Sequence, residues 1–295
     1  MLSAFYELAT GRAPDMLRAY LLAVLVQMLA VNTLAEYGYL RAAVPLWYGL
    51  ATPLAGVVYG LGMVLAMGCA GAVFYRLGEG KLDYLFAIIA FSLGAWAGNN
   101  WLVQPLRAAA GAPGVSLTLN TALTLDRWVV IAVVLVAALL WVIRGTRRRY
   151  QGGLDWSSTG LLVGLIGVGA WLASAPTGSP SGLGTVVGSD SLATLVLERN
   201  PAGLSWNLFL ILGIPLGSFI ATRLHGRSPG HPLHWKRVPQ ALAGGLLMGL
   251  GASVAAGDNV LHGLSGVPLL AVSSLVFMVC AFVGVWAGIR LGWLH

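Results

Sequence analysis

The residues best suited to chemistry stand at two glycine-marked points in an otherwise apolar chain: Gly68-Cys69 in the first third and Gly257-Asp258 near the end. A thiol donates a weak hydrogen bond and contacts sulfur readily, and a thiolate exchanges with sulfane sulfur. Towards an anion the neutral thiol is the better partner, because a thiolate repels it. The plain alternative for Cys69 is a small buried apolar residue, and Cys280, in the middle of an apolar run, reads only that way. Asp258 is the only acid in the last two apolar segments. A carboxylate within a membrane is costly unless paired or hydrated, and marks a candidate site. It could bind a cation, carry a proton or pair with a base; protonated it donates to an anion, ionised it repels one. Asn259 and His262 follow at one and four residues, so His262 shares a helical face with Asp258 if the helix continues past Gly257. A purely structural polar cluster fits these residues equally.

Further groups flank the two points. Arg76, Glu79 and Lys81 close the first stretch, as an anion gate (Arg76 and Glu79) or as a surface ion pair. Asn99 and Asn100 could line an entrance. His225, His231 and His234 read as a solvated linker rather than a metal site. No phosphate-binding Gly-Lys-Ser/Thr loop or His-Glu-x-x-His motif is present, so ATP hydrolysis and metalloprotease chemistry have no support, and no cofactor is implied.

The elements that must position these residues follow from composition. The chain has 295 residues, 58% hydrophobic, with 17 Lys and Arg, 10 Asp and Glu and a mean hydropathy of +0.81. So few charges cannot cover a soluble fold of this size, which excludes a soluble enzyme, a secreted disulfide scaffold and a disordered chain. The net charge of +7 reads as Lys and Arg held at the cytoplasmic face of a bilayer, with no nucleic-acid partner. The acid-bearing N-terminus does not read as a signal peptide.

A membrane helix needs about 20 apolar residues. Eight segments qualify, at roughly 17–37, 48–74, 82–102, 128–144, 158–176, 204–222, 240–262 and 268–290. With Arg144, Arg147, Arg148 and Arg149 inside, 13 of the 17 basic residues are cytoplasmic, and only Arg41, Arg107, Arg127 and Arg199 lie outside. This places both termini in the cytoplasm. The stretches 103–127 and 177–201 are external loops or hold short re-entrant helices.

The chain also repeats itself. Gly60, Gly62 and Gly68 match Gly249, Gly251 and Gly257; Cys69 matches Asp258; Gly94-Ala95-Trp96-Ala97-Gly98 matches Gly284-Val285-Trp286-Ala287-Gly288. The copies run in opposite directions across the membrane. Inverted repeats with glycine-broken helices are the sequence mark of a transporter site near the midplane, although Gly56 with Gly60 and Gly245 with Gly249 also fit close helix packing. The resulting reading is an all-α polytopic membrane protein, one integral membrane domain over 1–295. Repeat cores span 48–102 and 240–290, with helices, loops and a basic linker over 103–239.

Two motifs carry a family resemblance. The stretch from Gly62 to Gly71 with Arg76-Leu77-Gly78-Glu79-Gly80, and the stretch from Gly249 to Asn259 with His262-Gly263-Leu264-Ser265-Gly266, resemble the YeeE/YedE sulfur-transport membrane proteins, which include thiosulfate importers. The resemblance implies passage of a small sulfur anion such as thiosulfate along Gly68, Cys69, Gly71, Gly257, Asp258, Asn259 and His262. It implies a bacterial or archaeal inner membrane, and a cytoplasmic sulfur-carrier protein or sulfurtransferase as partner. The chain departs from the thiosulfate-type pattern in carrying Asp258 where a second cysteine is expected, and in lacking a further N-terminal cysteine region. Two alternatives therefore stand beside sulfur-anion transport: a different solute with Asp258 as proton or cation site, and a non-transporting subunit that docks a sulfur carrier.

Overall fold

The computed structural model describes residues 1–12, 14–109, 114–144, 154–177, 180–226 and 233–293. The basic run Arg147, Arg148 and Arg149, with Arg227 and His231, lies outside the described residues. The protein is an all-α polytopic membrane protein. In chain order the helices are α1 (Leu2–Ala9), α2 (Asp15–Glu36), α3 (Ala51–Leu65), α4 (Ala70–Gly78), α5 (Asp83–Ala97), α6 (Val103–Ala109), α7 (Leu119–Ala122), α8 (Arg127–Ile143), α9 (Trp156–Ser174), α10 (Val186–Leu197), α11 (Trp206–Leu224), α12 (Val238–Val254) and α13 (Val272–Arg290). Isolated bridges, Trp47 with Val115 and Thr118 with Ala271, are the β-type pairings among the described residues.

Six helical stretches are long and apolar enough to cross a membrane: Asp15–Glu36, Ala51–Gly78, Asp83–Leu106, Trp156–Thr177, Trp206–Leu224 and Val272–Arg290. The other two expected segments hold α8 and α12, each of 17 residues, or about 25 Å of helix. The stretch 177–201 contains α10, whose 12 residues make about 18 Å. α10 packs against α5 and α11 rather than forming a plain loop. α8, α9 and α11 begin where a side chain accepts the free amides of the first turn. Asp126 accepts from Trp128 N, Asp155 from Ser158 N and Ser205 from Leu208 N. α11 turns Phe209, Leu212, Leu216 and Phe219 outward, the surface expected where the solvent is lipid.

The centre is a reciprocal arrangement. α3 packs on α13 and α12 on α5; α2 meets the segment after Gly257 and α11 meets α4; α1 lies on α2 and α13, α10 on α11 and α5. The glycines show the same reciprocity. A Cβ on Gly60 would stand 2.1 Å from the Ala281 carbonyl and near Gly284; one on Gly249 would stand 2.3 Å from the Phe91 carbonyl and near Gly94. Backbones approach this closely only where both sides lack a side chain. Cys280 is part of this packing, its Cβ 2.9 Å from the position a Gly56 Cβ would take. The packing partners extend beyond the two repeat cores: α1–α2 correspond to α10–α11. Arg12 and Pro14 between α1 and α2 correspond to Arg199 and Pro201 after α10.

Candidate functional site

α3 and α12 end in the same turn. In α3, Met67 N donates to Val64 O and Gly68 N to Met63 O; in α12, Ala256 N donates to Ser253 O and Gly257 N to Ala252 O. These are Schellman closures, which need one residue in the left-handed region. That residue is Met67 (φ 53) in the first and Ala256 (φ 56) in the second. The breaks are where the glycines predict them, but the left-handed residue precedes the glycine. Gly257 is needed for space: a Cβ there would meet His262 Nε2 at 2.7 Å.

After each break the chain re-enters a short helix, with Cys69 and Asp258 just ahead of it. Cys69 has extended backbone at the N-cap of α4, and its carbonyl accepts from Val73 N at 3.0 Å. The thiol is 6% exposed, and the Met1 amino nitrogen lies 3.6 Å from its sulfur. Asp258 is fully buried. Its Oδ1 accepts from Val260 N (2.7 Å) and Leu261 N (2.8 Å). Its Oδ2 accepts from Thr185 N (2.6 Å), Thr185 Oγ1 (2.6 Å) and Val186 N (2.5 Å). One carboxylate therefore caps its own short helix and the start of α10 together. The positive ends of helices favour a negative charge there.

The two short helices face each other. Gly71 in α4 is 3.5 Å, measured from where its Cβ would stand, from Val260 Cγ2. Tyr59 ties the halves: its hydroxyl donates to Asn259 Oδ1 at 2.5 Å and interacts with the Ala70 backbone beside Cys69. Tyr20 and Tyr59 both lie within electrostatic range of Cys69 and Asp258. Gly68, Cys69, Gly71, Gly257, Asp258 and Asn259 thus belong to one central region. His262 does not pair with Asp258 through its side chain. A backbone bond, His262 N to Asp258 O at 2.8 Å, joins them, while the ring stacks on Phe277 at 4.3 Å with Nδ1 against Ser274 Oγ at 2.9 Å. The Ala255 carbonyl also acts on the ring. The chain widens into a π-helical turn over Leu261–Gly266, which carries the ring towards α13.

Arg76 and Glu79 are not paired with each other. Glu79 binds Lys81 at 2.8 Å, and Arg76 Nη1 donates to the Met67 carbonyl at 2.6 Å and to the Tyr84 hydroxyl. Away from the centre, Asn99 lies beside the Asp190 side chain, Asn100 donates to Trp96 O, and Trp96 Nε1 donates to Glu198 Oε1. Nothing in the sequence alone singles out Thr185, Tyr59 or Tyr84. Thr185 falls in the 177–201 stretch, whose mixture of small, polar and apolar residues was the available signal; the two tyrosines carry no spacing that marks them.

Comparison with known proteins agrees with this architecture. The profile of the family described as Sulphur transport matches residues 1–287. A thiosulfate transporter, TsuA, of Spirochaeta thermophila is 33% identical over 79% of this chain and 74% of its own length. The thiosulfate transporter TsuA of Escherichia coli is 28% identical over 92% of this chain and 82% of its own. A match of this extent, on an all-α membrane scaffold with two facing helix breaks, identifies the chain as a member of the sulphur-transport family.

Proposed function

We propose that the protein carries thiosulfate or a closely related sulfur anion across a bacterial or archaeal inner membrane, with Cys69 as the contact for the terminal sulfur. The observation that carries this reading is the convergence of the two breaks. The first turn of α4, which starts at the thiol-bearing Cys69, packs on the chain after the second break at Gly71 and Val260, and Tyr59 bonds Asn259 there. An anion entering lipid loses its hydration and needs fixed donors in return; α4 supplies amides and a favourable dipole end. Asp258 is a positioning residue in this reading. Its five donors hold α10 and the second short helix, so the anion is handled on the Cys69 side. Gly68, Gly71 and Gly257 keep the backbone close, Asn259 lines the opposite wall, and His262 packs behind it against Phe277 and Ser274. The path opens to the cytoplasm beside Arg76, both termini being cytoplasmic. A soluble sulfur carrier is the expected recipient there.

Uptake of radiolabelled thiosulfate into proteoliposomes, with sulfite, sulfate and selenite compared, tests the reading. Thiosulfate uptake that Cys69→Ala reduces by at least about tenfold, the worth of a strong contact, supports it; absent uptake by the parent contradicts it. Orientation is tested with single cysteines replacing Arg199 and Lys236, both exposed, in a chain with Cys69 and Cys280 changed to Ala. An impermeant maleimide should reach them from opposite faces.

A further inference from the structure

The two breaks differ in what holds the left-handed residue. At the first, the Met67 carbonyl accepts from Arg76 Nη1 at 2.6 Å, and the same nitrogen donates to the Tyr84 hydroxyl, itself 3.5 Å from Met67 O. The guanidinium lies over the Tyr84 ring, 5.2 Å from its centroid. At the second break the residue corresponding to Arg76 is Ser265, whose hydroxyl donates instead to Leu183 O at 2.8 Å. Met67 and Tyr84 also line a cavity of about 20 Å³ with Asp83, Arg237 and Gln240; Asp83 Oδ1 accepts from His234 N at 2.8 Å. Such a volume takes one water-sized group.

Arg76 therefore spends a permanent charge on neutral partners, the Met67 carbonyl and the Tyr84 phenol, with the Tyr75 side chain also facing the guanidinium. A small oxyanion is a stronger partner for the planar fork, because its bonds are charge-assisted and form in pairs. Met67 is two residues from Cys69, so an anion leaving the thiol meets the guanidinium next. Glu79 does not compete, being held by Lys81. We propose that Arg76 is a specificity-determining latch. At rest it holds the Met67 carbonyl and Tyr84; it exchanges them for the oxygens of the sulfur anion as the anion moves on from Cys69. The inference rests on the reading of Cys69 as the anion contact.

The test compares Arg76→Lys with Arg76→Gln in thiosulfate uptake by proteoliposomes, beside the parent and Cys69→Ala. Gln keeps donors for the Met67 carbonyl and loses the charge; Lys keeps the charge. The latch predicts that Gln lowers maximal uptake at least about tenfold and that Lys stays within about threefold of the parent. A residue that merely caps a helix end predicts equal uptake by the two, and that result would overturn the latch. Should Arg76→Gln fail to insert, Tyr84→Phe decides. Removal of a competing acceptor should lower KM for thiosulfate about two- to fivefold, and an unchanged KM overturns the proposal. Loss of uptake by Cys69→Ala keeps the underlying reading standing whatever the Arg76 variants do. A parent without uptake defeats that reading instead.

Discussion

The break before Cys69 and the break before Asp258 share one backbone and have opposite chemistry. Both end a long helix in the same pair of bonds, with Met67 and Ala256 in the left-handed region, and both are pressed together by reciprocal glycine contacts. Yet the first offers a thiol, with an arginine nine residues on from Met67 bonded to the turn's carbonyl, and the second is filled by a carboxylate that takes five donated bonds. Helix packing sets the shape of each break, and the residue after the glycine sets its chemistry: a buried thiol at one, a carboxylate that joins two helix ends at the other.

The largest effect expected from breaking this comparison is on stability at the second half. Asp258→Ala leaves buried amides of two helix ends without acceptors and should cost on the order of 3–5 kcal/mol. Thermal unfolding in detergent would show it as a large loss of Tm or as failure to insert. Gly60→Ala and Gly249→Ala sharpen the shared part. Each forces a side chain onto a backbone carbonyl, at 2.1 and 2.3 Å, and each should destabilise by about 1–3 kcal/mol. Nearly equal losses are expected, and a clearly unequal pair would contradict the reciprocity. Tyr59→Phe removes the bond to Asn259 that joins the halves and should cost about 1 kcal/mol. Cys280→Ala, at a packing position on the α3–α13 contact, should leave uptake at the parental level and stability within about 1 kcal/mol.

Much of this arrangement was legible in the sequence, and the reasons are physical. Lipid as solvent forces long apolar helices, so composition alone gave the class. Close backbone approach requires glycine, so Gly60 and Gly249 mark both the repeat and its packing, while Gly94 and Gly284 mark the repeat and only the structure shows them as the packing partners. The matched positions of Cys69 and Asp258 followed from the same alignment. What Asp258 touches did not follow, because its partners Thr185 and Val186 lie 73 and 72 residues away in a segment without membrane-helix character. Helical spacing puts His262 on the Asp258 face only if the helix continues past Gly257; the chain instead breaks there, and the π-helical turn over Leu261–Gly266 delivers the ring to Ser274 and Phe277. The repeat also reached α1 and α10, where Arg12 with Pro14 and Arg199 with Pro201 are too sparse a match to be found without the packing.

The contrast between the breaks is tested most directly by measuring uptake per correctly inserted molecule and Tm together for Cys69→Ala and Asp258→Asn. Asn keeps one acceptor oxygen and the shape of the carboxyl, so part of the joint survives. The account predicts that Cys69→Ala loses at least about tenfold in thiosulfate uptake with Tm nearly unchanged, and that Asp258→Asn loses Tm while each inserted molecule transports at close to the parental rate. The reverse pattern, with transport lost at Asp258 and kept at Cys69, would contradict it.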